Sequence, residues 1–186
     1  MVLAYLVDFD GTLADTGTAN YLAYAGALAE VNVLVSRTQF DERAFGRNWR
    51  QFLPEFLQSQ GCSVEPQAVA ARKTVLYRET SRQVRFNEAL VVLLKSRDLR
   101  IKAALVTSAS RANVQAALSS REDVRQLFDA VVTGDDVERH KPHPESFERA
   151  AALLQVSAQQ CLVFEDSSAG VQAGLAFGAL VLKISI

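Results

Sequence analysis

Asp8 and Asp10 stand two positions apart in Leu6-Val7-Asp8-Phe9-Asp10-Gly11-Thr12-Leu13, directly after an apolar run. On an extended backbone, side chains two apart point to the same side. Two carboxylates sharing one face repel each other unless a cation or a proton lies between them. Oxygen ligands of this kind suit magnesium. Gly11 permits the sharp turn that would leave both acids at the end of a strand. A calcium-binding loop is the competing reading, and spacing tests it. A loop starting at Asp8 would want an oxygen ligand at its fifth position, glycine at its sixth and glutamate at its twelfth. The chain offers Thr12, Leu13 and Ala19, of which only Thr12 serves.

Three further segments carry compatible groups after apolar runs. Thr107-Ser108-Ala109-Ser110 supplies hydroxyls and backbone amides where a strand would turn into a helix, which suits a phosphate oxygen. Ser110 would also cap that helix, and the two roles use different groups. His140-Lys141-Pro142-His143-Pro144 presents one lysine on a loop stiffened by two prolines. His140 and His143 read as loop residues, because their spacing matches no metal site. Phe164-Glu165-Asp166-Ser167-Ser168-Ala169-Gly170 places a second acidic pair at a strand end. Acids entering a helix favour its N-terminal dipole, but Glu165 and Asp166 also follow a buried strand and would complete a metal site with Asp8.

Positioning these groups requires strands that end at one edge. Apolar runs at Val2–Val7, Ile101–Val106, Ala130–Thr133, Cys161–Phe164 and Leu180–Ile184 are mostly too unbroken to alternate, which predicts parallel strands covered on both faces. Helical stripes lie between the later runs, with Ala89, Leu90, Leu93 and Leu94 on one and Phe147, Ala150, Ala151 and Leu154 on another. Alternating strand and helix makes the class α/β, and ligands bind at the carboxyl edge of such a sheet. The stretch between the first two runs has no convincing strand and reads as an inserted helical cap. Tyr21, Leu22, Ala25, Leu28 and Ala29 share one face. Ser36 and Gln39 form a capping box that would start a second helix. Trp49, Phe52, Leu53, Phe56 and Leu57 form a third stripe, read as core, that stops before Gly61.

A chain of 186 residues fits one domain carrying a modest insertion. Twenty basic and 21 acidic residues leave a net charge of -1. No global basic field would draw this chain to nucleic acid or to an anionic membrane. Cys62 and Cys161 form no CxxC pair, so they read as free thiols of a reducing compartment. Met1 to Val7 lacks the basic region of a signal peptide, and no stretch approaches the ~20 apolar residues of a membrane span. The expected home is the cytoplasm.

With the motifs in this order, the chain resembles the haloacid dehalogenase-like hydrolase superfamily, and within it the beta-phosphoglucomutase-like phosphatases and phosphomutases. Asp8-Phe9-Asp10-Gly11-Thr12-Leu13 is similar to the first family motif, Leu105-Val106-Thr107-Ser108 to the second, Lys141-Pro142 to the third and Phe164-Glu165-Asp166-Ser167 to the fourth. The resemblance implies a Rossmann-like core of residues 1–14 and 86–186, with a helical cap of residues 15–85. It implies a nucleophile at Asp8 and an acid/base at Asp10. Magnesium would be held by Asp8, the Asp10 carbonyl and Asp166, with Glu165 a ligand or close behind one. Thr107, Ser108 and Lys141 would bind the transferring phosphate, and a small phosphorylated metabolite would be the substrate.

The resemblance also points into the cap. Arg47 and Arg50, in Gly46-Arg47-Asn48-Trp49-Arg50, sit where relatives carry a loop reaching to the active site, and Lys73 lies near a lysine of the sugar-phosphate mutases. Those mutases carry a histidine early in the first cap helix that helps keep water from the phosphorylated enzyme. The corresponding position here is Asn20. A phosphatase is therefore expected, with a phosphomutase as the alternative. A dehalogenase of the family works without the metal site and the second aspartate. A non-catalytic relative would have lost one of the two first-motif acids. Relatives usually continue beyond the position of Ile186, so a monomer with an exposed sheet edge or a weak homodimer is expected.

Overall fold

The computed structural model describes residues 1–186. Five strands, β1 (Ala4–Val7), β4 (Lys102–Val106), β5 (Ala130–Val132), β6 (Cys161–Glu165) and β7 (Leu180–Lys183), form one parallel sheet in the order β5-β4-β1-β6-β7. All five expected runs become strands, most of them trimmed by one or two residues. β1 is central. Its register pairs Val7 with both Leu105 and Phe164, which brings Asp8 level with Val106 and Glu165 and leaves Thr107 one residue further along the same edge.

Unbroken apolar strands are explained by what covers them. Successive side chains alternate between faces. Ala4, Leu6, Ala104, Val106 and Val163 pack on one side against Phe147, Ala150 and Leu154 of α8 (Glu145–Leu154) and Ala173 of α9 (Ser168–Phe177). Val7, Ala103, Leu105 and Phe164 pack on the other side against Leu90, Val91 and Leu94 of α5 (Glu88–Ser96) and Val114, Ala117 and Leu118 of α6 (Arg111–Leu118). Phe9, between the two acids, turns into this second layer with Leu13. Truncating a wholly buried side chain such as Leu94 to alanine would cost about 2–5 kcal/mol. The short α7 (Glu122–Arg125) completes this side through Val124.

Helices α1 (Gly17–Ala29), α2 (Arg37–Arg43), α3 (Trp49–Ser59) and α4 (Pro66–Thr80) follow β1 and enclose an apolar cluster of their own, including Tyr24, Leu28, Phe40, Phe52, Phe56 and Val69. Ser36 and Gln39 form the capping box of α2, and Gly61 takes a φ of +65° just beyond α3. A two-residue antiparallel ribbon, β2 (Ala14–Asp15) with β3 (Arg85–Phe86), joins the chain where it leaves for these helices and where it returns. Two-residue strands are too short to show alternation, so this ribbon is absent from the sequence reading. At the far edge of the sheet, β7 exposes Leu180 and Leu182. No helix is long and apolar enough to cross a membrane.

Candidate active site

Asp8 follows β1 directly and is buried, with Lys141 reaching over it from the loop after β5. The Lys141 ammonium donates to Asp8 Oδ1 at 2.6 Å, to Glu165 Oε2 at 2.7 Å and to the Val106 carbonyl at 3.2 Å. Burial opposes its charge, but the two carboxylates prevail and hold the ammonium protonated well above the ordinary lysine range. Burial likewise raises the Glu165 carboxyl, yet Lys141 and Ser167 outweigh it and keep Glu165 ionised below its usual range. Glu165 Oε1 also accepts from the Asp166 and Ser167 amides, each at 3.0 Å. Gly170 has no space for a side chain, because a Cβ there would overlap the Glu165 carboxylate.

Asp8 and Asp166 behave differently from Glu165. Burial, and then the nearby Glu165 carboxylate, push Asp8 well above the ordinary range despite the Lys141 contact. The same two causes push Asp166 up to about 6, while the Thr12 hydroxyl donates to it at 3.2 Å. Gly11 approaches Asp166 so closely that any Cβ would collide with its carboxylate, and the glycine has a φ of +86°. Ligand oxygens of Asp8, Glu165 and Asp166 lie within 4.8 Å of one another. A single ammonium among three carboxylates leaves excess negative charge in a buried place, and all the donors are hard oxygens. This set fits a small divalent cation such as magnesium.

Asp10 occupies a separate network. Its Oδ1 accepts from the hydroxyl of Thr16 and from Asn20 Nδ2 at 3.2 Å, and its Oδ2 accepts from the Thr107 hydroxyl at 3.1 Å. Thr16 is the N-cap residue of α1, yet its hydroxyl turns to Asp10 and leaves the helix end uncapped by a side chain. Asn20 and Tyr24, one turn apart on α1, face Lys73 and Tyr77, one turn apart on α4. Lys73 donates to Asn20 Oδ1 at 2.6 Å and lies 4.9 Å and 4.3 Å from the Tyr24 and Tyr77 ring centres. Burial lowers its basicity to about 7, against the pull of Asp10. Lys73 is thus wholly enclosed, where a helix lysine read from sequence is most often solvated.

A cavity of about 200 Å³ opens beside Asp10 and runs between the sheet edge and α1, α3 and α4. Asn20, Arg47, Lys73 and Ser108 line it. Arg50 does not: its guanidinium stacks 4.6 Å from the Trp49 ring centre and lies 3.8 Å from Asp135. Trp49, expected in the helical core, packs against that core but is partly exposed and also lines this cavity, whereas Phe52, Leu53, Phe56 and Leu57 of the same stripe are buried. His143 Nδ1 accepts from the Glu145 amide within its own loop, and His140 Nδ1 is buried with no partner. Sequence reasoning missed Thr16, Asn48 and Gln51, which touch Asp10 or the loops of Ser108 and Lys141. An N-x-x-Q capping box at Asn48–Gln51 was the available signal for the last two.

A parallel α/β core with carboxylates and a buried lysine at adjacent strand ends, covered by helices inserted after the first strand, defines an enzyme of the Rossmann-like hydrolase class. The profile of the haloacid dehalogenase-like hydrolases matches residues 5–184, and the chain belongs to that family. It is 31% identical over 178 residues to the fructose-1-phosphate phosphatase YqaB of Escherichia coli, spanning 93% of this chain and 91% of that one. It is 30% identical over 187 residues to validoxylamine A 7'-phosphate phosphatase of Streptomyces hygroscopicus, spanning 97% and 84%. Crystalline CbbY from Rhodobacter sphaeroides, in complex with phosphate, shares the fold with a TM-score of 0.88 at 24% identity, covering 100% of this chain and 87% of that one. Within the family the chain is a haloacid dehalogenase-like phosphatase.

Proposed function

We propose that this enzyme is a magnesium-dependent phosphohydrolase that releases phosphate from a small sugar phosphate through an aspartyl-phosphate on Asp8. The observation that carries this reading is the Lys141 ammonium, 2.6 Å from Asp8 and 2.7 Å from Glu165 beside an acidic trio. The relatives named as phosphatases of fructose 1-phosphate and validoxylamine A 7'-phosphate support the substrate class.

An Asp8 carboxylate oxygen attacks phosphorus, and the bond to the ester oxygen breaks, splitting one displacement into two easier ones. Asp10 gives its proton to the leaving oxygen, then removes one from the water that attacks the phosphorylated Asp8. Thr107, Ser108 and Lys141 neutralise charge on the transferring group, where most of the catalytic effect in such reactions lies. Asp8, the Asp10 carbonyl and Asp166 would hold magnesium, which supplies further neutralisation of phosphoryl charge. Glu165, bound on both oxygens, serves to hold Lys141 and the turn after β6.

Residues 15–85 act as the cap that selects substrate over the core of residues 1–14 and 86–186, a division supported by the apolar cluster that the four helices enclose, while Ala19, Ala23 and Tyr77 seat α1 and α4 on the core. Asn20, Arg47 and Lys73 offer polar contacts to the sugar. The placement of Arg50 against Trp49 and Asp135 favours a structural role for it. A sugar phosphomutase is the second reading, favoured by Lys73 buried beside Asn20 and Asp10. The two free cysteines fit a reducing, cytoplasmic setting, and the near-neutral charge fits a small-metabolite substrate without nucleic acid or membrane partners.

A panel of sugar phosphates incubated with and without magnesium, scored for inorganic phosphate and isomerised sugar, tests this function. Metal-dependent phosphate release from at least one ester is the expected result. Isomerisation without net release would replace it with the mutase reading.

A further inference from the structure

Asn48 and Gln51 open α3 as a capping box, and a capping box needs only their side-chain oxygens. Asn48 Oδ1 accepts from the Arg50 amide at 3.0 Å, and Gln51 Oε1 accepts from the Asn48 amide at 3.2 Å. Serine and glutamate would do the same. Both residues are amides, however, and each carries an NH2 group that helix capping leaves unused. Asn48 Nδ2 donates to the Ser108 carbonyl at 3.0 Å, and Gln51 Nε2 donates to the Lys141 carbonyl at 3.4 Å. Ser108 follows β4 and Lys141 follows β5. One helix end thereby holds both loops that flank Asp8.

The fit is close. Asn48 is 2% exposed. Gly134, in the loop after β5, has room only for hydrogen at its Cα, since a Cβ would stand 2.5 Å from Asn48 Nδ2 and would overlap the Ser108 carbonyl. Trp49, next to Asn48, lines the cavity at this point. The contacts are to main-chain oxygens, so they depend on the conformation of the two loops and on no particular side chain there.

We propose that Asn48 and Gln51 are positioning residues forming a two-point latch, which sets the height of the cap over Asp8 by binding the backbone of both phosphate-binding loops. This rests on the phosphohydrolase reading of the site, because it assigns those loops their role. An ester enters when the latch opens, and its closure excludes water and completes the site, as lids generally do. Helix capping and latching use different atoms of the same two side chains, so they can be separated.

Asn48→Asp and Gln51→Glu perform that separation. Aspartate is as good an N-cap as asparagine, and glutamate is a standard capping-box partner. Each variant keeps shape and cap, but turns an acceptor toward a carbonyl where a donor stood. Melting temperature should fall by several degrees in Asn48→Asp, whose buried carboxylate faces a carbonyl, and should stay within about 3 °C of wild type in Gln51→Glu, which is only partly buried and keeps its cap. The value of kcat/KM should fall roughly tenfold for Asn48→Asp, the scale of one lost hydrogen bond, and less for Gln51→Glu with its longer contact. Trp49 is the only tryptophan in the chain, so its quenching by acrylamide reads the latch without any substrate and should rise in both variants. Unchanged quenching in the two variants overturns the latch, whatever the activity does. For Gln51→Glu, quenching that rises only in step with a falling melting temperature also overturns it, because capping alone would then explain the effect. If the wild-type enzyme released no phosphate from any ester, the quenching result would still stand, so failure of the functional reading is recognised separately.

Discussion

Lys73 donates a 2.6 Å hydrogen bond to Asn20, whose amide nitrogen reaches Asp10 at 3.2 Å. A cation buried between two tyrosine rings is thereby tied through one amide to the proposed acid/base. Because burial brings Lys73 down to about 7, its charge is present below that pH and lost above it. For an anionic ester, kcat/KM should decline as pH rises past about 7. Lys73→Arg should flatten that decline, since a guanidinium stays charged. Lys73→Met should lower kcat/KM roughly tenfold at pH 6, the scale of a lost charge-assisted contact. A full pH profile of the three proteins decides the matter, and identical alkaline limbs would remove Lys73 from substrate binding.

Asp8→Asn should abolish turnover and leave the protein folded. The variant removes the nucleophile while keeping the acceptor oxygen that faces Lys141. It also removes a buried like charge beside Glu165. The raised Asp8 carboxyl means that the metal-free fold binds its proton more tightly than the unfolded chain does, so ionised Asp8 lowers stability above its folded pKa. The melting temperature of metal-free Asp8→Asn at pH 8 should equal or exceed that of wild type. Phosphate release at the wild-type rate would end the role of Asp8.

Magnesium dependence should run through Asp166. Its carboxyl titrates near 6 in the metal-free protein, and that proton must leave before a cation binds. Below pH 6 the magnesium concentration for half-maximal activity should rise by at least about tenfold per pH unit, because the raised Asp8 carboxyl must lose its proton as well. Asp166→Ala should raise it by roughly a hundredfold or more at pH 7.5, because a carboxylate ligand is lost. An unchanged titration would move the metal elsewhere.

Hydrolysis should prevail over transfer to a second sugar oxygen. Asn20 donates and accepts hydrogen bonds but cannot carry an imidazolium charge, so the covered site should protect phosphorylated Asp8 from water less well than a histidine there would. The assay follows beta-glucose 1-phosphate with a trace of the 1,6-bisphosphate in magnesium buffer. Free phosphate should exceed glucose 6-phosphate. Efficient formation of glucose 6-phosphate with little phosphate would establish the mutase.

What could be read from the residues in order was everything that rests on local pattern. Unbroken runs such as Ala103–Val106 announce strands covered on both faces, and D-x-D-G at the end of the first run places two acids together, because side-chain alternation is a property of the backbone itself. The four motifs, and with them the family, follow from this order. Tertiary structure alone decided what those residues touch. Lys73 has the sequence context of a solvated helix lysine and becomes buried because α1 lies along α4, bringing Asn20, Tyr24 and Tyr77 around it from up to 53 positions away. Trp49 shares a stripe with buried residues yet faces the cavity, because the end of α3 docks on the core there. Asn48 and Gln51 are visible in sequence only as a cap. Their second function lies in two NH2 groups whose acceptors are 60 and 90 positions away, and no periodicity encodes a contact at that separation.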